Sequence, residues 1–222
     1  MTGRGILRFS LWWQHIVPPV LATACVAAAM GALPPEALVG RLVPFLLSVV
    51  GVAGFGYFLN DVCDVAADRA AGKENAAQGR TRLARAGLLC ALLALGLVPW
   101  LVLPRNPANL TLLAAEIAAL ALYSVRPFRL KERGLAGPLA DMLYGHLLPV
   151  GIAIFTFFPR AQESAPRGES GAGELSWRVA LGVLLALALA AKGLRNILLH
   201  QLADRWNDRR SGTHTVVLAI GP

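Results

Sequence analysis

Charge is scarce in this sequence. Only 15% of its 222 residues are Asp, Glu, Lys or Arg, against 56% in the apolar class, and the mean hydropathy is +0.56. A chain of this length cannot hide so much apolar surface in one core, which excludes an ordinary water-soluble domain and makes lipid the expected solvent. Cysteine is also sparse. Cys25, Cys63 and Cys90 form no CxxC pair, so neither a structural zinc site nor a disulfide framework is expected. Aromatics make up 7%. Glycines occur at 51, 54 and 56, but inside an apolar run, where they suit close helix packing and not a nucleotide-binding turn.

Six apolar stretches approach the roughly 20 residues needed to cross a bilayer. They cover about 12–32, 40–59, 86–103, 108–125, 135–158 and 177–199, and a seventh begins at Thr215. The expected fold is therefore all-α, a multi-pass transmembrane helical bundle forming a single membrane domain over 1–222. Arg4 and Arg8 ahead of an apolar run ending at Ala27-Ala28-Ala29 resemble a secretory signal. With five more spans downstream, that run reads instead as an uncleaved first transmembrane helix.

The net charge of +8 would suit a nucleic-acid binder if the cations lay on one soluble face. They lie between the spans instead, where they suit an anionic leaflet, so no nucleic-acid partner is expected. With the N-terminus in the cytoplasm, sixteen of the twenty-one Lys and Arg fall on the cytoplasmic side. Arg41, Arg105, Arg160, Arg167 and Arg178 remain outside. That asymmetry sets the orientation by the positive-inside rule.

The two largest charged connections resemble each other. Residues 60–72 laid over 200–212 without a gap bring Asp64 onto Asp204, Asp68 onto Asp208, Arg69 onto Arg209 and Gly72 onto Gly212. Four spans separate them, which puts both on one side, as a parallel internal repeat requires. On a continuing helix, residues 61, 64 and 68 share a face, as do 201, 204 and 208. Carboxylates so crowded repel one another unless a cation neutralises them. Oxygen ligands without His or Cys favour a hard ion such as Mg²⁺, which is commonly shared with substrate phosphates.

At these residues the chain resembles the UbiA superfamily of intramembrane prenyltransferases. The family signature NDxxDxxxD is matched by Asn60, Asp61, Asp64 and Asp68. The second, DxxDxxxD followed by basic residues, Gly and Thr, is matched by Asp204, Asp208, Arg209, Gly212 and Thr215, with Gln201 in place of its first aspartate. A tyrosine followed by basic residues after the fourth helix is matched by Tyr123, Arg126, Arg129 and Lys131. The Arg-Pro that often follows the first motif is replaced by Lys73-Glu74-Asn75.

The resemblance implies Mg²⁺-dependent transfer of a prenyl group from a polyprenyl diphosphate to a small, aromatic acceptor. Asp61, Asp64, Asp68, Asp204 and Asp208 would hold the metal and carry the catalysis. Asn60, Tyr123, Arg126, Arg129 and Lys131 would bind substrate. Lys192, Arg195 and Asn196 form, with His200, a polar stripe on the sixth span that would bind phosphate or acceptor. Lys192 lies roughly 18 Å along that helix from Asp204. Asp141 or His146 is a candidate base for the acceptor, and Glu116 is a weaker site candidate. The family fold has nine helices, so the resemblance also implies a C-terminally incomplete copy. Two alternatives stay open: a transferase using a phosphorylated sugar donor with a lipid phosphate, and an inactive remnant or partner subunit.

Overall fold

The computed structural model describes residues 9–158, 171–211 and 215–221, and those residues form helices and turns without a strand. Arg4, Arg8, Arg160, Arg167 and Gly212, which carried parts of the sequence reading, lie outside them. The helices run α1 Phe9–Met30, α2 Pro35–Ala70, α3 Arg82–Leu97, α4 Pro107–Ser124, α5 Ala136–Met142, α6 Leu148–Phe157, α7 Gly171–Ser211 and α8 Val216–Ile220. A 3-10 turn, Val98–Leu101, extends α3, and a π-helical turn, Leu143–Leu147, joins α5 to α6.

Among the described residues, six segments are long and apolar enough to cross a membrane: Trp13–Met30, Pro35–Ala70, Arg82–Leu101, Pro107–Ser124, Ala136–Phe157 and Gly182–Trp206. Each overlaps one of the six expected spans. The chain is a multi-pass helical membrane bundle.

Two boundaries differ from the sequence reading in an instructive way. The second span does not give way to a loop at residue 60. α2 continues for 36 residues to Ala70, and α7 for 41 residues to Ser211. At 1.5 Å per residue these helices are about 54 and 62 Å long, well beyond a hydrocarbon core of about 30 Å. Hydropathy marks where a helix leaves lipid. The residues that follow, rich in Ala, Asp and Arg, keep the backbone helical. Both aspartate motifs therefore sit on rigid helical extensions.

The bundle core gathers Val20, Ala24 and Ala28 of α1, Phe45 and Val52 of α2, Leu113 and Leu120 of α4, and Ile152, Ala153 and Phe157 of α6. Phe45 meets Phe157 edge to face, ring centroids 5.1 Å apart. A buried polar chain links α3 to α2: Trp100 Nε1 donates to Ser48 Oγ at 2.8 Å, and that hydroxyl donates to the Gly96 carbonyl at 2.7 Å. At the end of the bundle away from the aspartates, Arg41 donates to the Thr156 carbonyl (2.9 Å) and Asn106 to the Phe155 carbonyl (3.0 Å). These bonds tie α2 and α4 to α6.

α2 and α3 approach so closely that a Cβ on Gly51 would lie 2.2 Å from the Gly96 backbone nitrogen. No side-chain rearrangement relieves a clash with backbone. Gly51→Ala is therefore expected to lower stability by about 1–3 kcal/mol. Gly87→Ala, on open α3 surface with nothing within 4 Å of its Cβ, should be neutral or raise it by about 0.5–1 kcal/mol. Thermal unfolding of the two variants in one detergent checks the opposite signs.

Candidate active site

The site is built on the last turns of α2. Asn60, Asp61, Asp64 and Asp68 lie on this one helix, as the spacing requires, and two loops close over them. The first, residues 71–81, folds back along α2. Ala77 is fully buried with Phe58 and Leu92 and anchors the loop. Asn75, nine-tenths buried, then brackets the motif. Its Nδ2 donates to the Asp61 carbonyl at 2.8 Å and to Asp68 Oδ2 at 2.6 Å, while its Oδ1 accepts from the Ala77 amide at 2.8 Å. Asp61, only 1% exposed, accepts from the Ala76 amide at 3.3 Å.

Sequence reading missed Asn75, and the signal available was only a polar residue a few positions beyond the motif. Asn75→Ala removes three hydrogen bonds from a half-buried loop. Amides of 72–80 should then exchange faster, by the factor that about 1–3 kcal/mol of local stability confers. Hydrogen exchange read at Ala76 and Ala77 checks it.

The second loop follows α4. Ser124, the last residue of α4, is buried and its Oγ donates to Asn60 Oδ1 at 3.4 Å. Arg129 adopts φ 41°, a left-handed conformation costly for a non-glycine residue. The 3-10 turn Leu130–Glu132 then points Lys131 at α2. Lys131 Nζ donates to Asn60 Oδ1 at 2.7 Å and to Asp64 Oδ2. Arg129 Nη2 donates to Asp64 Oδ1 at 2.9 Å, and its Nε lies 2.6 Å from Glu132 Oε1. Burial works against the Arg129 charge, but Glu132 and Asp64 outweigh it and hold its pKa above the usual arginine value. Gly137 lets the loop lie against α5, since a Cβ there would stand 3.1 Å from Lys131 Cα. Arg126, the first cation of the loop, is exposed.

Beside this cluster stands an aromatic corner. Tyr123 of α4 and Tyr144 of the π-turn meet edge to face at 5.3 Å, and Tyr144 donates to Asp141 Oδ1 at 2.7 Å. Tyr144 was not among the sequence candidates. α4, which carries Tyr123, packs on α2, and α5, which carries Asp141, packs on α7, so the corner lies between the two motif helices.

The second motif sits at the end of α7. Asp204 is half-exposed, with His200 Nε2 3.6 Å from its Oδ2. Burial, then the neighbouring Asp204 charge, push the Asp208 pKa up, while Lys73 of the first loop and His200 act the other way. Lys73 is near enough to Asp208 for its charge to be felt there, so both motifs lie at the same end of the bundle. Gln201, where a carboxylate was expected, is 7% exposed, and its Oε1 is enclosed without a hydrogen-bond partner.

The polar stripe on α7 is divided. Lys192 is half-buried and acts on His146 of the π-turn, which packs so tightly on Gly193 that a Cβ there would be 2.5 Å from His146 Cδ2. Asn196 is half-buried with Nδ2 enclosed and unpartnered, whereas Arg195 is exposed. Glu116 is buried among Phe45, Val49, Val52, Trp100, Leu113 and Ile152, away from the aspartates. Among the described residues, no three His, Cys, Asp or Glu side chains stand close enough together to hold a metal ion. Asp61 and Asp68 are engaged by the first loop, and Asp64 by the second.

Fold and site together define a membrane-embedded helical protein with carboxylates and basic side chains face to face at one end. A family model for the UbiA prenyltransferase family matches residues 16–222, and the chain belongs to that family. It is thereby an integral membrane protein of the prenyltransferase kind. No curated protein and no solved structure matches it.

Proposed function

We propose that this chain transfers a prenyl group from a polyprenyl diphosphate to a small aromatic acceptor within the membrane, with Mg²⁺ as cofactor. The observation that carries the reading is the meeting of Asp64 with Lys131 and Arg129. Metal-binding carboxylate and phosphate-binding cations converge there beside an apolar bundle suited to an isoprenoid tail. The positive-inside asymmetry puts this end in the cytoplasm, and the motifs of α2 and α7 correspond as halves of a parallel repeat in a single membrane domain.

The donor set fits the ion in kind. Asp61, Asp64, Asp68, Asp204 and Asp208 offer oxygen alone, as Mg²⁺ prefers. When bound, Mg²⁺ supplies charge neutralisation for the diphosphate leaving group. The chain's own groups do the rest. Lys131 and Arg129 donate to phosphate oxygens, Arg129 in bidentate fashion, and Asn60 orients Lys131. Arg126 meets the diphosphate at the rim. Tyr123 and Tyr144 present ring faces to the allylic cation formed when the C–O bond breaks and its electron pair leaves with the diphosphate. Lys192, Arg195 and Asn196 serve the acceptor from α7. Asp141, with Tyr144 bonded to one oxygen, takes the acceptor's proton on the other.

The test is diphosphate release from an allylic prenyl diphosphate by the purified chain in lipid, with and without Mg²⁺. Release should stop with EDTA and return with excess Mg²⁺. Release undiminished by EDTA would contradict the reading.

A further inference from the structure

We propose that the outer face of α7 holds an anionic phospholipid. Its phosphate lies between Arg205 and Arg209, its glycerol is level with Trp206, and an acyl chain runs along Leu202 and Leu199. Lipid binding of this kind is independent of the chemistry proposed above and needs neither metal nor diphosphate.

At 3.6 residues per turn, Leu199, Leu202, Trp206 and Arg209 share one arc of α7, on the side opposite Gln201, Asp204 and Asp208. Burial follows the same division. Ile197 and Gln201 are enclosed by the bundle, whereas Leu199, Leu202 and Trp206 are exposed. α7 packs against α5, the π-turn and α8, so the exposed stripe faces out of the bundle. The apolar span ends at Trp206. That end point sets the ring at the boundary between hydrocarbon and headgroups, where an amphipathic indole is well placed.

Two cations converge on this ring. The guanidinium carbon of Arg205 lies 5.5 Å from its centroid and that of Arg209 5.8 Å, both within cation–π range. The ring is nevertheless 62% exposed, and two like charges gathered at one indole repel each other. A phosphate seated on the pair removes that repulsion. Arg209 stands three residues beyond Trp206, about 4.5 Å further from the hydrocarbon, while Leu202 and Leu199 stand about 6 and 10 Å the other way. Cations, ring and leucines thus follow the order of phosphate, glycerol and acyl chain in a phospholipid.

Charge selects the lipid. The two guanidinium groups donate to phosphate oxygens and favour a headgroup of net negative charge, whereas they repel the quaternary amine of a zwitterionic one. A soluble phosphate lacks the chain that Leu202 and Leu199 receive, so the ligand is the lipid. The same stretch of α7 carries Asp204 and Asp208 on its other side. A lipid seated here therefore also fixes the height at which those carboxylates stand at the membrane surface.

The experiment places the full chain in nanodiscs of zwitterionic lipid. A small share of phosphatidylglycerol brominated on its chains is added, or of phosphatidylcholine brominated in the same way. Bromine quenches tryptophan fluorescence only at close contact, and the difference between wild type and Trp206→Phe isolates Trp206 among the five tryptophans. Brominated phosphatidylglycerol should half-quench that signal at a mole fraction about tenfold or more below that of brominated phosphatidylcholine, as two cations beside an anionic headgroup imply. Combining Arg205→Gln with Arg209→Gln should erase the preference, and glycerol phosphate in the buffer should leave the quenching unchanged. Equal quenching of wild-type Trp206 by the two lipids would overturn the proposal, and that comparison involves no arginine variant. A folded double variant that keeps the preference would also overturn it. So would relief of quenching by glycerol phosphate, which would make the pair of cations a site for soluble phosphates.

Discussion

Asp64→Asn should reduce diphosphate release from an allylic prenyl diphosphate by about 10³-fold or more, the scale seen when a preorganised electrostatic group is removed from an active site. Asp64 faces both cations of the second loop, and its own helix carries Asp61 and Asp68 on the same side. Replacing it by the isosteric amide keeps the shape and removes the charge. On the proposed function a bound metal would lose a ligand, and Lys131 and Arg129 lose the anion they pair with. The variant also leaves two half-buried cations with less compensation, at a cost of about 1–3 kcal/mol in stability. A melting curve of the purified variant must therefore accompany the rate. A folded variant with release within tenfold of wild type would remove Asp64 from the mechanism.

Lys131→Gln should lower kcat/KM for the prenyl diphosphate by about 10²-fold, equivalent to about 2.7 kcal/mol of transition-state stabilisation. The side chain is 13% exposed and bonds both Asn60 and Asp64. Its charge acts where water is largely excluded, and there it is worth far more than at the surface. Arg126, five residues earlier and just as cationic, is exposed. Arg126→Gln should change kcat/KM by no more than about threefold, the size expected of a solvent-screened charge. Equal losses in the two variants would mean that the loop acts through its summed charge and not through the geometry described. Steady-state kinetics of both variants, at one ionic strength, makes the comparison.

The contrast between these residues shows how far the sequence could be read. Tyr123, Arg126, Arg129 and Lys131 form one basic stretch, and its composition marks all three cations equally. Which of them reaches α2 is decided by the left-handed backbone at Arg129 and the single 3-10 turn after it. Local sequence signals for both are weak, since the glycine expected at positive φ is absent from position 129. The aspartate faces were legible because helical spacing alone puts 61, 64 and 68 on one side. The helix count was legible because lipid demands long apolar runs. Asn75 was not, because its role is created by the loop turning back onto α2, a tertiary event driven by burial of Ala77 against Phe58 and Leu92. Tyr144 was hidden for a similar reason. The π-turn at Leu143–Leu147 shifts the helix register, and with it the side that carries Tyr144 towards Tyr123.

Gln201 marks the difference between the two motifs. An amide with an enclosed, unpartnered carbonyl oxygen replaces a carboxylate on α7, so the first motif on α2 carries three aspartates and the second carries two. On the proposed function, most of the electrostatic work would fall to α2 and its two loops, with a supporting share for Asp204 and Asp208.

The most direct test of the central claim compares donors. The purified chain in lipid, with Mg²⁺, is given an allylic prenyl diphosphate, its saturated counterpart and a sugar diphosphate, and inorganic diphosphate or phosphate release is followed. The account predicts release of diphosphate from the allylic donor alone, because only that chain ionises to a stabilised cation. Equal release from the saturated donor, or turnover of the sugar donor in preference to the allylic one, would contradict it.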